Sequence, residues 1–255
     1  MRRLYQEDVY LKQTEATILS VLSDPMELKA LGAKEVDSSL CLILDQTLFF
    51  PEGGGQPSDL GQIGAWPVVY VFEKDDIVYH QILSDSTDPE TQKHQGVPQA
   101  GMMVSCQLDW DRRFRHMQRH CGEHILSAVF YDLCGGVNRG FHMGEDYMTI
   151  DIRLELRPDI QKMTEELISE VEWKANQMVW ENLPVSTRYF QTKEEAIEIP
   201  MRKELTIDEA IILVCVGDQS NASGCVACCG THPSTTGQVG LIQIYKWENY
   251  KGMYR

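Results

Sequence analysis

The N-terminal part of the chain consists of short apolar runs that alternate with polar segments containing glycine and proline. The runs are rich in β-branched and aromatic residues, and they read ATILSVL, SSLCLILDQTLFF, VVYVFE, DIVYHQIL and MMVSCQLDW. Short runs of this kind, bounded by turn-forming residues, predict β-strands, and their spacing predicts a small barrel or sandwich. The polar stretch at 84–101 is predicted to be a loop within the same domain.

After Trp110 the apolar residues recur with the period of an α-helix. The period predicts a helix over 111–135 that ends at two consecutive glycines, and its apolar residues include Phe114, Met117, Ile125 and Val129. The elements predicted after it are a strand at 146–155, a helix at 160–182, a short helix at 194–204 that breaks at Pro200, and strands at 211–217 and 240–250.

These patterns predict an α+β fold with two domains. The first domain, 1–108, is a small N-terminal β-barrel that carries a glycine-rich loop. The second domain, 109–255, packs helices on an antiparallel sheet. The boundary is expected near residues 108–112.

Two pairs of residues have the spacing of metal ligands. His120 and His124 stand one helical turn apart, and Cys228 and His232 have the same i, i+4 spacing in a distant segment. Residues so spaced on a helix project from one face. Three imidazoles and one thiolate are donors that zinc prefers, so the sequence predicts one zinc ion per chain, bound by ligands from two segments.

Other interpretations of these residues stay open. HCGEH fits H-x-x-E-H, the inverted zincin signature, in which Glu123 would be the base and a downstream glutamate the third ligand. Cys225 and Cys228 form a C-x-x-C pair, which is found in redox centres and in structural zinc sites. His116, one turn before His120, could replace a ligand or support one.

Charge and cysteine content limit the partners and the compartment. The net charge of −15 disfavours long, non-specific contacts with nucleic acid. A local basic patch is compatible with it, and four arginines precede the histidine pair, either as a solvated helix face or as a basic edge of the metal site: Arg112, Arg113, Arg115 and Arg119.

The N-terminal segment MRRLYQEDVYLKQTEAT has no apolar core, so it does not resemble a secretory signal. We therefore expect a cytoplasmic protein without a membrane partner, whose eight cysteines remain free or bind metal. Four cysteines in apolar contexts are expected to be buried as small hydrophobic residues: Cys41, Cys106, Cys134 and Cys215.

The segment PEGGGQPSDLG, at 51–61, is the other distinctive motif. Consecutive glycines allow a backbone to approach a ligand closely, and polar side chains follow them. The candidate ligand-binding residues here are Gly53, Gly54, Gly55, Gln56 and Asp59. A flexible hairpin turn is the alternative, and the segment lacks the Lys-Ser/Thr of a Walker phosphate loop.

These motifs together resemble a known family. LDQTLFFPEGGGQPSDLG, the H-x-x-x-H helix, GFHMGEDYMTIDI and CxGTHPSTTGQVG occur in the order found in AlaX-type alanyl-tRNA editing proteins. The chain is also similar to the editing domains of alanyl-tRNA synthetases and, more distantly, of threonyl-tRNA synthetases. Its length resembles that of the medium-sized, free-standing form.

The resemblance implies an ATP-independent, zinc-dependent aminoacyl-tRNA deacylase that maintains translation fidelity. Its partner would be the acceptor end of tRNA(Ala) wrongly charged with serine or glycine, and its oligomeric state stays open, a homodimer included. Glu123 is a candidate to take a proton, and Gly230 and Thr231 to contact the carbonyl or the terminal ribose. Further candidates for tRNA contacts are Arg112, Arg113, Arg139, Gly140 and His142.

The chain departs from the family pattern at two places. Cys229 replaces the first glycine of Cys-Gly-Gly-Thr-His, and Cys-Gly-Glu separates the two histidines where synthetase domains often have small or hydroxylated residues. A non-catalytic, zinc-stabilised RNA-binding module is the alternative outside enzymes, and it would require a closed four-ligand site.

Overall fold

The computed structural model describes residues 1–35, 39–83, 96–160 and 162–255, and its fold is α+β, as predicted. Most of the loop predicted at 84–101 lies outside the described residues. The helices are α1 Leu4–Glu7, α2 Pro25–Leu31, α3 Trp110–Cys134, α4 Glu165–Trp180 and α5 Lys193–Ala196. The strands are β1 Arg2–Arg3, β2 Gln13–Leu22, β3 Ser39–Leu44, β4 Gln46–Thr47, β5 Gly61–Ile63, β6 Trp66–Lys74, β7 Ile77–Leu83, β8 Met103–Leu108, β9 Gly136–Met143, β10 Met148–Leu154, β11 Val185–Thr192, β12 Glu209–Val216, β13 Cys225–Ala227, β14 Asn249–Tyr250 and β15 Met253–Tyr254.

The chain divides into two compact units, Met1–Arg115 and His116–Arg255, so the division falls within α3. The predicted boundary at 108/109 would instead place the whole helix in the second domain, and it stays a prediction.

The first unit contains a closed antiparallel barrel, which confirms the predicted barrel. Its strands follow the order β2-β3-β7-β6-β5-β8, and β8 pairs with β2 to close it. Alternate residues of each strand point inward. The resulting core is apolar, and its fully buried members include Ile18, Leu42, Leu44, Ile63 and Val71.

The second unit contains two antiparallel sheets where one was predicted. One sheet has the order β14-β15-β10-β9, and the other has the order β11-β12-β13. Helices α3 and α4 share a core with the first sheet, in which Ile125 and Val171 are fully buried and Ile152 of β10 is 1% exposed. Ile125 and Val129, two of the four apolar residues that predicted α3, thus belong to the core that α3 shares with α4 and the sheet.

Local signals explain where the two long helices begin and end. Gly135, with φ of 62°, follows α3, and its N–H donates to the Tyr131 carbonyl at 3.0 Å. Helix α4 begins at Glu165, later than predicted, because the Thr164 hydroxyl caps it by accepting from the Leu167 N–H at 3.2 Å. Among the described residues, no helix combines the length and the apolar character needed to cross a bilayer.

The strand predicted at 240–250 is wrong except for its last two residues, which form β14. Asn176 of α4 donates to the Ile242 carbonyl at 2.7 Å and accepts from the Ile242 N–H at 3.0 Å. The Ile244 N–H donates to the Glu172 carboxylate at 2.6 Å. Side chains of a helix therefore satisfy backbone groups that a neighbouring strand would otherwise bind.

Two cysteines form a disulfide, which corrects the expectation that all eight are free or bind metal. Cys215 of β12 and Cys225 of β13 are joined, and they occupy directly opposite positions in the ladder. Antiparallel pairing brings opposite side chains close together, so the two sulfurs are within bonding reach. Cys41, Cys106 and Cys134 are buried thiols, as predicted.

Candidate metal centre

The four predicted metal ligands come together in the second unit. The ligand atoms of His120, His124, Cys228 and His232 all lie within 4.8 Å of one another. The Cys228 Sγ is 3.3 Å from the His120 Nε2 and 3.7 Å from the His232 Nε2. With zinc–nitrogen and zinc–sulfur bonds near 2.0 and 2.3 Å, a tetrahedral site separates N and S by about 3.6 Å. The two nitrogen–sulfur distances are close to this value, and the four donors are near enough to converge on one ion.

Three elements carry these donors. His120 and His124 lie one turn apart on α3, as the i, i+4 spacing predicted. Cys228 directly follows β13, and its N–H continues the ladder by donating to the Ile212 carbonyl at 2.9 Å. His232 belongs to the loop that follows.

Thr236 fixes this loop to the end of α4. Its side chain is fully buried, donates to the Met178 carbonyl at 2.6 Å and accepts from the Leu183 N–H at 2.8 Å. The Thr236 N–H in turn donates to the Leu183 carbonyl at 2.9 Å. One hydroxyl therefore connects the helix end with the segment that presents His232.

Burial favours the neutral, ligating form of two of the imidazoles, His120 and His232. Burial lowers the pKa of His120 to about 3, and burial together with His120 and His124 lowers the pKa of His232 well below its ordinary value. Neutral rings keep a lone pair for a metal. The His124 Nε2 is buried and has no hydrogen-bond partner among the described residues. A metal ion would satisfy this atom.

Cys228 supplies the sulfur donor. Burial raises the pKa of its thiol, and the hydrogen bond from the Gly230 N–H, 3.4 Å from the Sγ, acts in the opposite direction. A bound cation favours the thiolate that metal coordination requires. The chemistry of the donor set, three imidazoles and one thiolate, fits zinc.

Glu123 lies beside the donors and is 5% exposed. Its Oε2 is 2.7 Å from the His124 Nδ1, and its Oε1 accepts from the Ser127 hydroxyl and from the Asn138 amide, both at 2.6 Å. Burial alone would raise the pKa of Glu123, but His124, Arg202 and Ser127 together bring it well below its ordinary value. The group is therefore a buried, ionised carboxylate.

Arg202 brings a buried positive charge to the same place. Its Nη1 donates to the Ser223 carbonyl at 2.9 Å, and its Nη2 lies 3.1 Å from the His124 Nδ1. Burial lowers the pKa of Arg202, and the charges of Glu123, Cys228 and Asp132 oppose that shift. The arginine thus balances part of the negative charge around the donors.

Several predicted tRNA-binding residues are buried inside the first unit instead. Arg113, Asp59 and Gln56 are all fully buried. Arg113 donates through its Nε to both oxygens of Asp59, at 3.0 and 2.9 Å. Each side chain is bound to the other, and direct tRNA binding by Arg113 or Asp59 stays a prediction. Arg112 is half-buried, and its Nε donates to the Ser58 carbonyl at 3.1 Å.

The glycine run forms a tight turn. The N–H of Gly53 donates to the Gln56 carbonyl at 3.1 Å, and the N–H of Gln56 donates to the Gly53 carbonyl at 3.0 Å. Gly54 and Gly55 lie between them with φ of 59° and 82°. Positive φ at both central positions is the hairpin geometry that favours glycine, so the turn explains this pair. A ligand contact by the loop stays a prediction.

The remaining candidates lie in the second unit. Arg139 is exposed and paired with Glu155, and His142 is exposed. A Cβ at Gly140 would lie 2.6 Å from the Asp151 Oδ2, so any other residue there would displace that carboxylate. Thr231 is 1% exposed, next to His232. The Gly230 N–H faces the Cys228 sulfur, so that donor is already engaged.

The structure distinguishes the four-residue donor group from the alternative metal sites that the sequence left open. The donor group among the described residues contains no carboxylate, whereas the inverted zincin interpretation requires a glutamate ligand. Cys225 is disulfide-bonded, so its sulfur is not a thiolate ligand. His116 and Cys229 are not members of the donor group.

Sequence reasoning missed three residues that surround the donors: Ser127, Asn138 and Arg202. Ser127 stands four residues after Glu123 on α3, so its spacing could have indicated the contact. Asn138 lies on β9 and Arg202 in the connection before β12, and no local pattern indicates either residue.

The chain thus has an α+β fold with three histidines and one cysteine grouped as candidate metal ligands, and sequence comparison shows which proteins it is similar to. No protein-family model matches the chain. The alanyl-tRNA editing protein AlaX-L of Pyrococcus horikoshii is 31% identical over 262 residues, covering 100% of this chain and 57% of its own length. The alanyl-tRNA editing protein Aarsd1 of Mus musculus is 31% identical over 255 residues, covering 98% of this chain and 56% of its own length.

The alanine–tRNA ligase of Thermococcus kodakarensis is 29% identical over 255 residues, covering 97% of this chain and 24% of its own length. The chain is thus a homologue of the AlaX-type alanyl-tRNA editing proteins, which confirms the resemblance of its motifs. It spans 57% and 56% of the length of the first two relatives.

Proposed function

We propose that the chain is a trans-editing hydrolase that deacylates mischarged tRNA(Ala), chiefly Ser-tRNA(Ala) and also Gly-tRNA(Ala). The observation that carries the proposal is a group of three imidazoles and one thiolate in a homologue of alanyl-tRNA editing proteins. The reaction is the hydrolysis of an aminoacyl ester. Such an ester is already activated, so its hydrolysis needs positioning and electrostatic help but no ATP.

His120, His124, Cys228 and His232 would hold one zinc ion. When bound, zinc would supply Lewis-acid chemistry, which can orient a water for attack on the ester or hold the substrate amine in place. The protein contributes a site in which the three imidazoles are nearly excluded from solvent and burial favours the neutral form of His120 and His232. Low exposure strengthens every electrostatic interaction with the ester carbonyl.

The acidic composition of the chain limits how it meets tRNA. A net charge of −15 repels extended contact with phosphates, so the acceptor end is the part of the tRNA that we expect to be bound. Arg115 and Arg139 are exposed cations at the start of α3 and on β9. Arg139 is paired with Glu155, so Arg115 would supply the local positive charge, without a large basic surface. A cytoplasmic location, where tRNA is charged and used, follows from this activity.

The direct test is a deacylation assay with Ser-, Gly- and Ala-tRNA(Ala) as separate substrates. We expect zinc-loaded protein to release serine, and glycine more slowly, while correctly charged Ala-tRNA(Ala) persists. Treatment with a chelator and the variant His124→Ala should both remove the activity. A zinc-loaded protein that leaves Ser- and Gly-tRNA(Ala) intact would refute the proposal.

A further inference from the structure

Glu123 contacts a metal-site histidine with one carboxylate oxygen and is itself bound through the other. Its Oε2 lies 2.7 Å from the His124 Nδ1, while Ser127 and Asn138 donate to its Oε1, both at 2.6 Å. We infer that Glu123 is a positioning residue that sets the tautomer and ring orientation of His124, and that Ser127 and Asn138 hold it there. The inference rests on the proposed metal site.

The hydrogen bonds around Glu123 have defined directions. The Asn138 Oδ1 accepts from the Gly140 N–H at 2.9 Å, so the amide nitrogen is the end that faces the carboxylate. This nitrogen also lies 2.9 Å from the Ser127 Oγ and donates to it. The Ser127 hydroxyl therefore accepts from Asn138 and donates to Glu123. Each member has a fixed role, as expected of a satisfied buried network.

The network fixes the state of His124. Two donors bind the Glu123 Oε1, and its Oε2 faces the His124 Nδ1 at 2.7 Å. This geometry fits a hydrogen bond from an Nδ1–H to the carboxylate, which leaves the lone pair of the ring on the Nε2. This Nε2 has no hydrogen-bond partner among the described residues. Carboxylates bound to the second nitrogen of a ligating histidine set its tautomer and increase its basicity.

Arg202 completes the arrangement as a charge partner. An N–H cannot donate to a ring nitrogen that already carries a proton, so its Nη2, 3.1 Å from the His124 Nδ1, lies beside the Glu123–His124 pair. The Ser223 carbonyl, 2.9 Å from the Nη1, fixes the guanidinium in this place. A positive charge there stabilises the ionised carboxylate.

This role differs from the general base that the sequence predicted for Glu123. A base must accept a proton from water in the reaction. Three donors already occupy Glu123, namely the Ser127 hydroxyl, the Asn138 amide and the His124 ring. Glu123 is also only 5% exposed, so little of the carboxylate is open to a water that a base would deprotonate. A positioning role uses the contacts as they stand.

The experiment measures zinc affinity by competition with a chromophoric chelator, in Glu123→Gln, Ser127→Ala, Asn138→Ala and wild type. We expect Glu123→Gln to bind zinc about 10–100-fold more weakly. Ser127→Ala and Asn138→Ala should also bind zinc more weakly than wild type, but with a smaller loss of affinity than Glu123→Gln. Visible absorption of the cobalt(II)-substituted protein should change in Glu123→Gln, because the ligand ring is no longer held in one orientation.

Val129→Ala is the matched control. Val129 is a buried apolar residue of the same helix, outside the network, and its truncation destabilises the core. We expect it to keep wild-type zinc affinity and cobalt absorption. If it weakened zinc as strongly as Glu123→Gln, general loss of stability would explain the effect and the positioning role would be overturned.

The outcomes separate this inference from the proposed function. Wild-type protein that binds no zinc would refute the metal site itself. Wild-type affinity in all three network variants, with kcat reduced at saturating zinc in Glu123→Gln alone, would make Glu123 the base and overturn the positioning role. Weaker zinc binding in Glu123→Gln, with kcat largely restored at saturating zinc, supports the positioning role.

Discussion

Arg113 and Asp59 form an ion pair in which neither side chain is exposed to solvent. The Arg113 guanidinium also donates to the Leu48 carbonyl at 2.7 Å and to the Val9 carbonyl at 3.0 Å. Asp59 accepts from the Phe50 N–H at 2.6 Å. The pair thus joins the start of α3 to three other segments of the first unit, and its role is structural.

We expect Arg113→Ala to lower the free energy of unfolding by about 3–5 kcal/mol, because it leaves a buried carboxylate without its partner. Urea unfolding of the variant and of wild type would measure this loss. Arg112→Ala is the control, and its half-buried side chain should cost much less. Equal stability of Arg113→Ala and wild type would mean that water or another group replaces the guanidinium.

The exposed arginine of the same segment should affect tRNA binding. Arg115→Ala should reduce the slope of log K against log salt by about 0.7–0.9, the value for one phosphate contact. The rate of deacylation at saturating tRNA should change little. Arg2→Ala, an exposed arginine paired with Glu7, serves as the control. A wild-type slope in Arg115→Ala would place the phosphate contact elsewhere.

Metal content should depend on the donor group and not on the adjacent thiol. We expect His124→Ala and Cys228→Ala to lose zinc, because each removes one of four donors that lie within 4.8 Å of one another. Cys229→Ala should keep it, since the exposed Cys229 is outside the group. Metal analysis of the purified variants measures this. Zinc lost from Cys229→Ala and retained in Cys228→Ala would exchange the two assignments.

Two substitutions at Gly54 distinguish a turn from a ligand contact. Gly54→Asn should keep the stability of the first unit, because asparagine tolerates the observed φ of 59°. Gly54→Val should cost on the order of 1–3 kcal/mol, because a β-branched residue is strained there. If the loop approaches substrate as the sequence predicted, Gly54→Asn also slows deacylation. Wild-type rates in this stable variant would leave the glycine only its conformational role.

His80 should make the first unit less stable in acid. Its ring lies between the Thr47 hydroxyl at 2.7 Å and the Leu42 carbonyl at 3.1 Å, and burial lowers its pKa to about 4. Between pH 6.5 and 4 the unfolded chain binds a proton that the folded chain does not. The free energy of unfolding therefore decreases as the pH is lowered from 6.5 to 4, by an amount on the order of 3 kcal/mol.

The measurement is the free energy of unfolding at several pH values for wild type and His80→Gln. The variant loses the titrating ring, so its stability should depend less on pH between 4 and 6.5. Identical pH profiles in the two proteins would show that His80 does not titrate abnormally.

The sequence predicted those features that depend only on residues close together along the chain. The apolar period and Gly135 indicated α3, and the i, i+4 spacings indicated the four donors. Features that depend on a distant partner could not be predicted. The segment around Ile242 looks like a strand, but its partner is the Asn176 side chain on a helix. Arg113 looked like a surface charge, since no pattern within α3 indicates that Asp59 is buried beside it.

The disulfide between Cys215 and Cys225 has a consequence for the choice of metal ligand. Cys228 and Cys229 are adjacent, and a shift of one residue between β12 and β13 would place Cys229 where Cys228 now lies and turn Cys228 onto the opposite face. The covalent bond fixes which residue of β13 stands opposite Cys215. From that fixed point the ladder places Cys228 opposite Ile212, where its N–H is bound. The disulfide therefore fixes the register of β13 on β12, and this register places Cys228, and not Cys229, in the candidate metal centre.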